Sequence, residues 1–181
     1  MQQSLGMEVC DMSLKGYLSV GLLVLSLVIS GCVIEEEEEE RAFQTELKLM
    51  DQNKNETYQF SLAEPIIFEI SITNITDDPQ TLTATSTQVH EFIVAPAGET
   101  QPLWHWSFNK GFATVITELN FAAGETKTYS ETWYQIDDHG YAVNAGDYVA
   151  QGFMWTTQEA ANDAIGDETE TRSPSVDLSI E

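Results

Sequence analysis

Residues 65–74 read PIIFEISITN, with Ile66, Phe68, Ile70 and Ile72 at every second position. An alternation of period two puts all four side chains on one face of an extended chain. A helix would scatter the same residues around its axis. The period recurs along the chain. FQTELKLM sets Phe43, Thr45, Leu47 and Leu49 against polar neighbours, and QTLTATST sets Leu82 and Ala84 among threonines. HEFIVAP, PLWHWS, ATVIT, TKTYSETWY, DYVAQGFMW and SVDLSI each read as a further strand. The punctuation between them is turn chemistry: NITDDP, PAGET, FNKG, AAGET, DDHG and NAGD. No ten-residue helical pattern interrupts this region. Residues 156–173 are polar and read as a loop with room for one helical turn. Short strands joined by short turns predict an all-β fold, an antiparallel β-sandwich of about seven to nine strands.

Cysteine usage narrows what holds such a sandwich together. The two cysteines, Cys10 and Cys32, are both N-terminal, and residues 33–181 contain none. The β region therefore has no disulfide, no thiol nucleophile and no thiolate metal site. It depends on a hydrophobic core, which about 140 residues suffice to build. The formal net charge is −23. A surface this acidic repels phosphate backbones, so nucleic acid is not an expected partner.

The N-terminal region has a different character. Residues 16–34 carry no charge, follow Lys15, and contain Ile29, Ser30, Gly31 and Cys32. This resembles a bacterial lipoprotein signal peptide with its lipobox. The resemblance implies a leader over 1–31, cleavage before Cys32, and a thioether-linked diacylglycerol on Cys32. An uncleaved transmembrane helix is the competing reading, since the run is near the length that spans a bilayer. Met12 makes a better start than Met1, because it removes the acidic Glu8 and Asp11 from the head of the leader. Glu35 to Glu40 follow as an unbroken run. Their mutual repulsion keeps the segment extended, so residues 32–41 read as a lipidated cysteine and a tether. The domain proper is expected over 42–181. The expected location is the cell envelope, with a lipid bilayer as one partner through Cys32.

The order of motifs within the domain also carries a resemblance. PIIFEISITNITDDPQTLTATSTQVHEFIV is followed by LWHWSFNKGF, then AAGETKTYSETW, then NAGDYVAQGF. Over about residues 60–155 this series resembles the intracellular proteinase inhibitor family, the BsuPI domain. The resemblance implies an immunoglobulin-like sandwich and a non-catalytic role: binding, and inhibiting or docking on, a serine protease. The chain departs from the family pattern at Val89 and His90, where relatives often carry Arg and Tyr. It also departs after Phe112, where Ala113 and Thr114 stand. A leader would also carry this chain across a membrane. The expected target is then an extracytoplasmic protease or another envelope protein. A structural or adhesive envelope role, holding a protein or glycan, is the alternative.

No catalytic constellation stands out. The three histidines, His90, His105 and His139, lack metal-ligand spacing, and no GxSxG elbow occurs. Neither a metal nor a cofactor is expected, and no catalytic residue is assigned. Trp104 and Trp106 share one face by period two, with His105 opposite. They serve either sheet packing or a stacking platform for a peptide or sugar. Trp133 and Trp155 end alternating strands and are expected in the core. Three loops at strand ends are candidates for docking: 96–102, 107–111 and 135–146. The loop 107–111 is favoured, because Phe108 and Lys110 are suited to anchor in a protease cleft. Trp104, Trp106, Phe108 and Lys110 are thus the candidate partner-binding residues.

Overall fold

The structure, a computed structural model, describes residues 41–157 and 159–181. The expected leader, Cys32 and the glutamate run 35–40 lie outside the described residues. Ten strands form in chain order: β1 (Phe43–Met50), β2 (Gln59–Phe60), β3 (Ile66–Asn74), β4 (Gln80–Ala84), β5 (His90–Pro96), β6 (Trp104–His105), β7 (Thr117–Phe121), β8 (Thr126–Trp133), β9 (Gly146–Met154) and β10 (Val176–Ile180). The one helical element described is a 3-10 turn over Glu159–Ala161, inside the polar loop where the sequence left room for it.

Two sheets face one another. One has the order β1-β3-β8, and the other β2-β10-β9-β5-β6. A third, two-stranded sheet pairs β4 with β7. The alternation in the sequence decides which side chains enter the space between the sheets. Ile66, Phe68, Ile70 and Ile72 are fully buried, and each is stabilised by roughly 1.5–3 kcal/mol by leaving water. From the facing sheet come Phe92, Val94, Tyr148, Ala150, Leu178 and Ile180. Phe43, Ile72, Leu82, Phe121 and Met154 form a second cluster, where the small sheet joins the other two. Thr45 sits in the buried row of β1, and its hydroxyl donates to the Glu170 carbonyl at 2.8 Å. Among the described residues, every buried member of these two clusters lies between Phe43 and Ile180.

Four local expectations change. ATVIT is not a strand. Val115 and Ile116 are 51% and 76% exposed, and Ala113 exchanges hydrogen bonds with Thr87 instead of joining a sheet. The strand begins at Thr117, where the alternation of Thr117, Leu119 and Phe121 faces the small cluster. PLWHWS shortens to Trp104–His105. The pair β2–β10 is parallel, an exception in an otherwise antiparallel structure. Trp133 is buried as expected, whereas Trp155 lies one residue past the end of β9. It is half-buried and stacks on Phe153 with ring centroids 5.9 Å apart.

The polar loop after β9 is fastened from within by Arg172, which is 1% exposed. Its Nε donates to Glu159 at 2.6 Å, and its Nη1 donates to Gln151 and to the Ala164 carbonyl, each at 3.0 Å. Its guanidinium lies 3.9 Å from the centre of the Phe153 ring. A buried charge is tolerated when it is paired and hydrogen-bonded in this way.

Candidate functional site

The free ends of the two main sheets meet on one side of the sandwich. There β6 edges one sheet and β8 edges the other. Between them opens a cleft of about 450 Å3. Trp104 to Trp106 and the loop 107–111 form one wall, with Phe108, Asn109 and Lys110 as its rim. Glu131 to Tyr134 and the turn 136–140 form the other.

The base of the cleft is aromatic. Trp104 rests on Phe68 and Trp133, with ring centroids 5.6 Å from each. It is half-buried and is a packing residue first. Trp106 is covered on both faces. The His90 imidazole stacks on it at 4.3 Å, and the Lys110 ammonium sits 3.5 Å from its ring centre. A stacked ring leaves no space for an ammonium on the same side, so the two occupy opposite faces. Both faces of Trp106 are thus taken by residues of this chain, whereas Trp104 packs on Phe68 and Trp133 and also lines the cleft.

The loop 107–111 is held by its own backbone and by a buried carboxylate. Phe108 N–H donates to the His105 carbonyl at 3.2 Å, and Lys110 N–H donates to the Ser107 carbonyl at 2.9 Å. Asn109 takes φ 59°, in the left-handed region that asparagine tolerates. Glu91 is buried beneath the loop. It accepts the N–H of Ser107 at 3.1 Å, the N–H of Phe92 at 2.9 Å and the Gln88 amide at 2.9 Å. Burial raises the Glu91 pKa above the usual carboxylate value, and the hydrogen bonds from Ser107 and Phe92 oppose that shift. Lys110 is lowered from its usual value by desolvation, with Glu131 and Glu91 acting against that. Phe108 stays 45% exposed at the tip of this braced loop.

The opposite wall is tied to the first by Asp138. Its carboxylate accepts the His105 N–H at 3.0 Å and lies 2.7 Å from the His105 ring nitrogen Nδ1. The Asp138 N–H donates to the Leu103 carbonyl at 3.0 Å. This joins the turn after β8 to β6. Tyr134 and Ile136, 64% and 43% exposed, add apolar surface on that side. His90 lies under the floor, 3.5 Å from Glu131 and stacked on Tyr129 as well as on Trp106. Both of its ring nitrogens, and the Trp106 indole N–H, lack a hydrogen-bond partner. Among the described residues, no three histidine, aspartate, glutamate or cysteine side chains converge as metal ligands.

All four candidate residues lie along this cleft, and the candidate loops 107–111 and 135–146 supply parts of its two walls. The third candidate loop, 96–102, does not line it. Sequence reasoning missed Glu91, Asp138 and His90. Glu91 and His90 fall inside the apolar strand HEFIVAP, and a charged residue in a buried strand was the available signal. Asp138 looks in the sequence like any acidic residue of a turn.

The family model described as BsuPI, intracellular proteinase inhibitor, matches residues 60–159. No curated protein matches the chain. Among solved structures, a β-glucosidase from Erythrobacter marinus is 9% identical, with a TM-score of 0.41 over 77% of this chain and 15% of that one. The chain thus spans under one-sixth of that enzyme's length. The CARDB domain of a Pyrococcus furiosus protein is 14% identical, with a TM-score of 0.39 over 77% and 94% of the two chains. An alkylpurine DNA glycosylase from Pseudomonas fluorescens, bound to DNA containing an abasic site analog, is 11% identical, with a TM-score of 0.42 over 77% and 30%. None of these likenesses bears on activity.

Proposed function

The chain belongs to the intracellular proteinase inhibitor (BsuPI) family, and from that membership we propose that it is a non-catalytic binding module whose loop 107–111 docks in the cleft of a serine protease. One observation carries this reading: Phe108 is exposed on a loop that a buried carboxylate and two backbone hydrogen bonds already hold in place. A segment braced in advance loses little further entropy on binding. Phe108 offers an aromatic anchor, and Lys110 a cation beside it. Trp104 and Trp106 contribute by supporting the loop.

The leader motif supports an extracytoplasmic setting. Ile29-Ser30-Gly31-Cys32 after an apolar run suits lipidation at Cys32, and the six glutamates suit a spacer between bilayer and domain. The target is then a protease outside the cytoplasm. Cys32→Ser is expected to leave an uncut precursor that takes up no labelled fatty acid, and uptake by the variant would contradict the anchor. Residues 41–181 mixed with subtilisin-like and trypsin-like enzymes are expected to inhibit at least one of them slowly and in stoichiometric amount. Digestion of the domain, or indifference by every enzyme including the envelope proteases of its own cell, would leave the adhesive envelope role in its place.

A further inference from the structure

Strand β8 ends its sheet with an open edge. It pairs with β3 along one unbroken antiparallel register, from Ile66 opposite Trp133 to Thr73 opposite Thr126. The parity of that ladder follows from its end. Asn74 N–H donates to the Glu125 carbonyl at 3.0 Å, so Lys127, Tyr129, Glu131 and Trp133 are the residues that bond to β3. Thr126, Thr128, Ser130 and Thr132 then point their N–H and C=O groups away from the sheet. Among the described residues, none of these main-chain groups has another partner. The edge has no proline, glycine or bulge to blunt it.

The sequence of this edge is Thr126-Lys127-Thr128-Tyr129-Ser130-Glu131-Thr132. Read outward from Tyr129, each side gives a hydroxyl residue, then a charge, then a threonine, and the two charges are opposite. We propose that β8 pairs with β8 of a second copy of this chain, antiparallel, about a two-fold axis at Tyr129. In that register Thr126 faces Thr132 of the partner and Thr128 faces Ser130 of the partner. Their outward groups supply about eight main-chain hydrogen bonds. Lys127 falls opposite Glu131 of the partner, and the relation repeats across the axis. Tyr129 meets the partner's Tyr129. Cross-strand pairs of opposite charge are favourable and pairs of like charge are not. A shift of two residues along the strand would separate the charges, so the same pairing that joins the copies also fixes their register. The two three-stranded sheets become one continuous six-stranded sheet.

Within one chain, both charges have neighbours and both keep exposed surface. Lys127 contacts Glu125 at 2.8 Å at the surface, and Glu131 lies 3.5 Å from His90 with Lys110 nearby. Both keep about a third of their side chain exposed, at 30% for Lys127 and 32% for Glu131. They remain available to a strand laid alongside. Charge complementarity selects a second copy over an unrelated extended peptide.

Sedimentation equilibrium of residues 41–181 reads the proposal directly. The expected result is a concentration-dependent dimer. Ser130→Pro removes one outward N–H while leaving the bonds to β3 intact, and should give a folded monomer. Lys127→Glu and Glu131→Lys should each weaken the dimer roughly tenfold, and the two together should restore it. A monomer at every concentration up to about 1 mM would overturn the proposal. A dimer that Ser130→Pro leaves unchanged would also do so, since it uses another surface. If circular dichroism shows that Ser130→Pro does not fold, the charge exchange decides: a double variant no stronger than the single ones would rule out this register.

Discussion

The carboxylate of Glu91, 1% exposed within β5, accepts the main-chain N–H of Ser107 at 3.1 Å. A buried acid in one sheet thereby fixes the start of an exposed loop. Glu91→Ala would leave the N–H of Ser107, the N–H of Phe92 and the Gln88 amide without their acceptor. The expected cost is about 1–3 kcal/mol in urea unfolding, with Glu91→Gln costing less because it keeps one acceptor oxygen. Amide exchange at Ser107 should quicken by more than the loss of global stability accounts for. Equal exchange in both proteins would show that Glu91 serves the core alone.

The floor of the cleft predicts a pH dependence. Desolvation lowers the His90 pKa below its usual 6.5, and Glu131 beside it pulls the other way without winning. The unfolded chain therefore takes up the proton more readily than the folded one. This contribution to stability is present above about pH 6.5 and is lost as pH falls through the lower folded value. Glu91 has the opposite sign, because its raised pKa makes protonation favour the fold, and it is present both in the native chain and in a His90 variant. His90→Phe keeps a ring between Trp106 and Tyr129 and removes the titration. Melting temperature measured from about pH 7.5 to pH 5 should fall more steeply for the native chain than for this variant. Parallel curves would contradict the assignment.

What the sequence disclosed, and what it hid, follow from the range of each interaction. The rows Ile66-Phe68-Ile70-Ile72 and Phe43-Thr45-Leu47-Leu49 are local alternations, and all eight residues are buried. The turn signals likewise rest on a few adjacent residues. ATVIT has the composition of a strand, but only its last residue, Thr117, has a partner strand beside it. Composition reports only the propensity of a segment. The position of the cleft was partly legible through Phe108 and Lys110, which stand in a turn after an aromatic strand. Its internal bracing was not. Glu91 reaches 16 residues along the chain to Ser107, and His105 reaches 33 to Asp138. Such pairs exist only once the sheets have assembled.

The loop after β9 shows the same distance effect and gives its own prediction. Arg172 and Glu159 form a fully buried pair with Gln151 completing it. Arg172→Met would strand the Glu159 charge and should cost about 3–5 kcal/mol in urea unfolding. Adding Glu159→Leu removes the stranded charge and should recover part of the loss. A double variant less stable than Arg172→Met alone would show that packing, not the unpaired charge, dominates there.

Docking by the loop 107–111 is measured most directly by inhibition constants for the native domain and for Phe108→Ala, against a protease that the native domain inhibits. The side chain is exposed and bears no core contact, so the variant should melt as the native chain does. An anchor at the centre of an interface is worth about 2 kcal/mol or more, so inhibition should weaken roughly thirtyfold or beyond. Lys110→Ala should weaken it as well. If Phe108→Ala inhibits as tightly as the native chain, the protease is held by another surface, and the role assigned to this loop is wrong.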